Sequence, residues 1–402
     1  MSELNPRQFL ADNAERYRAW RHHLHQYPEV AFEERNTAAF LKEKLTSLGL
    51  EIVDGLATTG LVATLRGLRP GPIIGMRADM DALPIEEADD PAYRSRHVGV
   101  MHACGHDGHM IMLLAAAEYL AGDRDFAGAA RFIFQPAEEA EGGGRKMLED
   151  GLFDIAPVDA VFGLHNWPGL PIGQVAVQPG PMMAAMDLFT IAVRGEGVHA
   201  ALPHLGTDAI VAAGALVGAL QTIASRAIDP HQPLVVSLTQ IHGGNSLNAL
   251  PGHVDLQGTL RSFSSSARDV ARRRLHEIAA GIATTHNVVV DLTFTPGYPA
   301  TLNHSGAAGF AAEVARRLPG NQPVLESFEP SMASEDFAFM LNARPGAYAW
   351  IGNGRDVALH SPNFDFNDDL IATGALFWIE LAKAFFAGEF KPEPTKLMGD
   401  LS

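Results

Sequence analysis

The feature that most constrains this chain of 402 residues is an alternation of short apolar runs with helical patterns, interrupted once by a stretch of different element order. The runs PIIGM (72–76), ARFIF (130–134) and VDAVFGL (158–164) have the length and apolar bias of buried strands. Helical periodicity, as in His109 to Leu120, lies between them. Such an alternation predicts a mostly parallel sheet covered by helices. From Asp187 the text changes to LFTIAV, an Ala-rich helix over about 207–227, PLVVSLTQI, HVDLQGTLRSF, a helix over about 266–286, and VVVDLTF. This β-α-β-β-α-β order is that of a ferredoxin-like sandwich, an antiparallel sheet with two helices on one face. Helical text then returns over 306–318, a buried strand over 346–351 and a closing helix over 371–386. The expected architecture is a discontinuous α/β domain, 1–185 plus 299–402, with a smaller α+β domain of 186–298 inserted.

Composition narrows the function classes. With 30 Lys and Arg against 47 Asp and Glu, the formal charge of −17 repels phosphate backbones and anionic lipid, so neither nucleic acid nor a membrane is an expected partner. No stretch offers the eighteen or so uninterrupted apolar residues of a membrane span, and a cytoplasmic protein is expected. The single cysteine, Cys104, cannot form an intrachain disulfide. It is either a small buried hydrophobe or a chemically used thiol.

Ligands of open α/β sheets sit beyond the carboxyl ends of the strands, and the residues there are polar in this chain. Asp79 and Asp81 follow the first run, Glu138 and Glu139 the second, and His165 the third. The segment 101–109, MHACGHDGH, opens a helix with the thiol among histidines, and His360 stands near the C-terminus. A thiolate, imidazoles and carboxylates together suit Zn²⁺, Mn²⁺ or Co²⁺, with Ni²⁺ also admitted, better than Mg²⁺ or Ca²⁺. Each piece also has a plainer reading: Cys104 as packing, Glu138 and Glu139 as a solvated pair, Asp79 and Asp81 as turn caps, His102 and His109 as hydrogen-bonded structural groups. Two features favour function. Gly105 lets Cys104 and His106 reach a common ion from the start of a helix, whose dipole favours a thiolate. Two adjacent acids at the end of a buried strand also repel each other unless cations intervene.

The strings RADMDALP (77–84), MHACGHDGH (101–109), QPAEEAEGGG (135–144), HNWP (165–168), SEDF (334–337) and HSPNFDFND (360–368), with LHQYPEVAFEE (24–34), resemble the M20 metallopeptidases. The likeness is to their amidohydrolase branch, which includes hippurate hydrolases, N-acyl-amino-acid amidohydrolases, N-acetyldiaminopimelate deacetylases and plant auxin-conjugate hydrolases. It implies a zinc-exopeptidase-like mixed sheet with an inserted lid or dimerisation domain. It also implies a two-metal centre bridged by Cys104 and completed by His106, Glu139, His165 and His360, with Glu138 as general base. The wider family has a histidine where Asp79 stands and usually an aspartate where Cys104 stands; both departures are shared by this branch. They leave the role of Asp79 open, and Asp81 is assigned to orienting a ligand. Glu139 is expected to point away from Glu138 along an extended segment.

In the inserted domain, GEGVHAA with His199, NALP with Asn248, and GTLR with Arg261 resemble family segments that serve substrate. There a histidine and an asparagine reach the active site of a partner protomer. Plainer roles are a turn cap for His199 and a surface ion pair for Arg261. The expected activity is hydrolysis of the amide bond of an N-acyl amino acid. A dipeptidase or carboxypeptidase of the same chemistry and a metal-dependent binding protein without turnover are the alternatives. A homodimer is expected, with a tetramer as the other option.

Overall fold

The computed structural model describes residues 5–140, 142–320 and 323–391. The chain divides into two compact units: Met1–Met182 with Leu302–Glu329 and Asp336–Ser402, and Met183–Thr301 with Pro330–Glu335. The short return segment Pro330–Glu335 thus belongs to the second unit.

The first unit is built on a seven-stranded sheet. Its strands are β1 (Glu51–Leu56), β2 (Gly60–Arg66), β3 (Arg69–Asp79), β4 (Ala127–Gln135), β5 (Ala160–Trp167), β6 (Val175–Ala176) and the strand Gly346–Gly352, in the order β1-β2-β4-β3-β5-(346–352)-β6. The sheet is mixed, as the resemblance implies, and not mostly parallel, as the alternation of elements alone predicts. β3 runs parallel to β4 and β5, and β5 to 346–352, but β1, β2 and β6 pair antiparallel at the two sides. For β1 and β2 the reason lies in the turn between them. Ala57 (φ 47°) and Thr58 (φ 74°) take the left-handed conformation that a tight hairpin demands, without the Asn-Gly text that ordinarily announces it. A tertiary contact holds the turn: Asp150 accepts the Ala57 N–H at 2.7 Å.

Helices α1 (Ala14–Gln26), α2 (Arg35–Ser47), α3 (His106–Ala121) and Leu370–Phe386 surround this sheet. Residues 106–117 of α3 are all buried. A helix apolar on every side belongs inside the core. Gly374 lets Leu370–Phe386 approach it closely, because a Cβ there would lie 1.9 Å from the Met112 sulfur. β3 is exposed at its start and buried at its end, so the apolar core leads directly to the polar residues at the strand's carboxyl end.

The second unit has the β-α-β-β-α-β order read from the sequence. Strands β7 (Ala185–Arg194), β8 (Leu234–Gly243), β9 (His253–Ser262) and β10 (Val289–Pro296) form an antiparallel sheet in the order β8-β9-β7-β10. Along β7 the buried positions 185, 187, 189, 191 and 193 alternate with outward ones, the period of a strand with one covered face. The inward Asp187 is matched by Arg268 (2.7 Å) and Arg272 (2.8 Å). These arginines lie on α5 (Ser265–His286), which Ser264 caps; Asp208 caps α4 (Ala209–Thr222). A π-wound turn extends α4 to Ala227. The run Ala209–Ala227 has the length and mean hydropathy (1.4) of a membrane span by composition. One stripe of it, with Ala212, Ala213, Leu216 and Leu220, lies in this unit's core.

Candidate metal centre

All the candidate ligands of the first unit but His360 sit at or just beyond the end of a strand or helix. β3 ends at Asp79 and leads to Asp81; β4 ends at Gln135 and leads to Glu138 and Glu139; β5 carries His165 near its end, and α3 begins at His106. Gly105 makes that last start feasible. Its φ of +87° is left-handed, and a Cβ would stand 2.8 Å from the Asn166 side chain. Asn166 occupies the space by donating to the Cys104 carbonyl at 2.7 Å. The His360 loop is tied to the same place, since its N–H donates to the Ala103 carbonyl at 2.8 Å.

These segments bring together the five candidate ligands. Ligand atoms of Cys104, His106 and Glu139 lie within 4.8 Å of one another. Cys104 Sγ is 3.4 Å from His165 Nε2, and His360 Nε2 is 3.0 Å from Glu139 Oε1. The hydrogen bonds fix which imidazole nitrogen faces inward. His106 Nδ1 donates to the Asp81 carbonyl at 2.8 Å, and His165 Nδ1 donates to the Asn166 carbonyl at 2.6 Å. In the neutral ring each Nε2 keeps its lone pair, and among the described residues His106 Nε2 is buried without a hydrogen-bond partner. An orphaned, pre-oriented imidazole nitrogen beside a thiol and a carboxylate fits a transition-metal ligand.

The electrostatics agree. Burial, then Glu139, Glu138 and Asp79, push the Cys104 thiol well up. The acids therefore outweigh the helix dipole expected to favour a thiolate, and positive charge at the site is what would ionise the sulfur. Burial alone would lower His106, but Asp79 and then Asp81 and Glu139 raise it to about 10, a measure of how strongly the pocket favours cations. Burial, with His109, holds His165 well below its ordinary value, in the neutral form a ligand needs.

Glu138 and Glu139 diverge by another device than the expected strand alternation. Residues 138–140 form a turn, entered through Ala137 at φ +53°. A left-handed alanine costs on the order of 1–2 kcal/mol, so the surroundings must hold it. Asp81 contributes, since its carboxylate accepts the Glu139 N–H at 2.9 Å. Asp81 thus contacts both His106 and Glu139.

Asp79, whose role the sequence leaves open, lies with His106, His109 and His165 in a second cluster of donor atoms and has both oxygens engaged. Its Oδ1 accepts from His109 Nδ1 at 2.6 Å and its Oδ2 from Arg77 at 2.7 Å. Burial would raise this carboxyl, but His106, Arg77 and His109 hold it well below the usual range. Arg77 also donates to Gln135 (2.9 Å) and Asp336 (3.1 Å). Sequence reasoning passed over this buried arginine, although a cation inside an apolar strand signals a partner. His109 is hydrogen-bonded as expected; His102 is not. Neither ring nitrogen of His102 has a partner among the described residues, and burial holds it neutral at about 4.

Two candidates of the second unit, His199 and Asn248, lie at a short two-stranded ribbon, while Arg261 lies on β9. Val198–His199 pairs with Ala249–Leu250, and the Ala200 N–H donates to the Asn248 carbonyl at 2.9 Å, so His199 and Asn248 are exposed neighbours. His199 Nδ1 accepts the Ala201 N–H at 3.1 Å, the turn-capping bond of its plainer reading. Among the described residues Arg261 makes no ion pair, and it donates to Ser334 Oγ at 2.5 Å.

Comparison with known proteins places this geometry. Residues 75–384 match the family described as Peptidase family M20/M25/M40. The chain is 40% identical over 364 residues to the N-acetyl-L-cysteine deacetylase of Bacillus subtilis, covering 90% of this chain and 86% of that one. It is 39% identical over 362 residues to the hippurate hydrolase of Campylobacter jejuni, covering 90% and 94%. The crystal structure of a dinuclear metal-binding peptidase of the M20 family from Bacillus subtilis superposes with a TM-score of 0.83 at 34% identity, covering 94% of this chain and 99% of that one.

Proposed function

We propose that this chain, which belongs to peptidase family M20/M25/M40, is a metal-dependent amidohydrolase that cleaves the amide bond of N-acyl amino acids, benzoyl and acetyl conjugates among them. The observation that carries the reading is the convergence of Cys104, His106, Glu139, His165 and His360 among acids, with Nε2 of His106 left without a hydrogen-bond partner among the described residues. These five residues would hold two divalent ions, with Zn²⁺, Mn²⁺ and Co²⁺ the best match to the donor set. When bound, such ions supply polarisation of the scissile carbonyl and a lowered pKa for the attacking water.

The chain's own groups do the rest. Glu138, buried at the end of the β4 segment, takes the proton from the attacking water and returns it to the leaving amine, so both halves of the reaction pass through one carboxylate. Asp81 orients His106 and Glu139. His199, Asn248 and Arg261 are assigned to substrate recognition.

The second unit is assigned to self-association as a homodimer. β8 is an edge strand with Val235 and Ile241 exposed, and α4 exposes Ile210 and Val211, an apolar surface suited to a second copy. Sedimentation should find a species of twice 43.1 kDa.

The activity is tested by loading the protein with Zn²⁺, Mn²⁺ or Co²⁺ and offering hippurate, N-acetyl amino acids and dipeptides, with free amine as the readout. Release from N-acyl amino acids, abolished by chelator, is expected. Release from dipeptides alone would replace the reading with a dipeptidase. No release from a protein carrying two ions per chain would overturn it in favour of a binding protein.

A further inference from the structure

We propose that Glu34 is a positioning residue that fixes the Glu138–Glu139 turn through the amide of Ala137. This inference rests on the amidohydrolase reading and deepens it.

The segment 24–34, LHQYPEVAFEE, carries none of the ligands, yet it touches the loops that do. The Glu29 carbonyl accepts the Ala82 N–H at 2.8 Å, immediately after Asp81. His25 Nδ1 lies 2.8 Å from the carboxylate of Asp107, the neighbour of His106. Glu34 reaches the third loop. It stands at the N-cap of α2, where a side-chain acceptor ordinarily serves the helix, but it makes no cap bond. Glu29 serves instead, accepting the N–H groups of Asn36 (3.1 Å) and Thr37 (2.9 Å).

Released from capping, the fully buried Glu34 turns inward. Its Oε1 accepts the Ala137 N–H at 2.9 Å, and its Oε2 accepts the Thr59 hydroxyl at 2.6 Å. The Ala137 carbonyl accepts the Gly143 N–H at 3.0 Å. Ala137 is therefore clamped on both sides in its left-handed conformation, and the next two residues are the proposed base and a proposed ligand. Burial foremost pushes the Glu34 carboxyl up to about 7. A neutral amide of the same shape can thus supply the same acceptor to Ala137.

The test uses the full-length, metal-loaded protein with Glu34→Ala and Glu34→Gln. Glu34→Ala should lower kcat by about tenfold to a hundredfold with KM within about threefold, as expected for a displaced catalytic group. It should also speed hydrogen exchange at the Ala137 amide. Glu34→Gln should restore most of the lost rate and the exchange protection. On a Glu138→Ala background, Glu34→Ala should cost clearly less than it does in the wild type, because much of its effect passes through Glu138. If Glu34→Ala fails to fold, Glu34→Asp, one methylene shorter, should show the same two changes. Unchanged exchange at Ala137, additive losses with Glu138→Ala, or a Gln variant as impaired as Ala would overturn the proposal. A wild-type protein releasing no amine from any substrate would instead end the amidohydrolase reading, and the exchange measurement would still decide the clamp.

Discussion

Nδ1 of His109 donates to Oδ1 of Asp79 at 2.6 Å, while the other oxygen of Asp79 is held by Arg77 at 2.7 Å. His109 completes the chain by accepting the Asn166 N–H on Nε2 at 2.9 Å, behind the His165 that faces Cys104. A carboxylate with both oxygens committed to cationic or donor side chains anchors the site from behind.

Asp79→Asn should accordingly retain two bound ions per chain, since the amide oxygen can still accept from one neighbour. Asp79→Ala leaves the buried Arg77 with one carboxylate fewer and should cost about 3 kcal/mol, the scale for breaking a buried pair. Elemental analysis and urea unfolding check the two statements. Loss of one ion in Asp79→Asn would make Asp79 a ligand.

Glu138 and Cys104 should separate cleanly in metal content. Glu138→Ala removes a proton carrier that binds no ion, so turnover should fall by at least about a hundredfold, within the range for general acid–base groups, with metal retained. Cys104→Ala and His106→Ala should lose both activity and metal. Equal metal loss in all three variants contradicts this division.

His25 should make the folded state pH-dependent. Burial lowers its pKa, but its bonds to Asp107 and Glu87 outweigh this and raise it to about 9. A group raised in the folded state contributes fully below the unfolded value, near 6.5, and loses its contribution as pH rises through 9. The span corresponds to about 3 kcal/mol. Denaturant unfolding between pH 6 and 10 should show that decline in the wild type and a flatter profile in His25→Gln; coincident slopes would refute it.

Gly105→Ala should be far more damaging than an alanine on the surface. It forces a left-handed alanine, about 1–2 kcal/mol, and drives a methyl into the Asn166 amide that braces Cys104. Lower metal affinity together with a reduced melting temperature is expected. A variant that binds metal like the wild type would show that the turn is not held by this contact.

The four central strands of the first sheet, the inserted β-α-β-β-α-β segment and the chemistry of the donor set were legible in the sequence, because side-chain period and residue type are local properties; the outer strands β1, β2 and β6 were not read there. The antiparallel pairing of β1 with β2 was not legible in the order of elements, since the turn residues Ala57 and Thr58 go left-handed under the hold of Asp150 without themselves being glycine or asparagine. The divergence of Glu138 and Glu139 was likewise assigned to strand alternation and comes instead from the turn at Ala137, which Glu34 reaches across 103 residues.

The sequence by itself determined which atoms could bind a metal ion: one thiol, a few imidazoles and a set of acids, several of them placed just past an apolar run. Only the tertiary structure decided which nitrogen of each imidazole faces inward, which carboxylates stay available and which are already committed. Those choices depend on hydrogen bonds between residues far apart in the chain, such as His106 to the Asp81 carbonyl and His109 to Asp79. No local pattern encodes such partners.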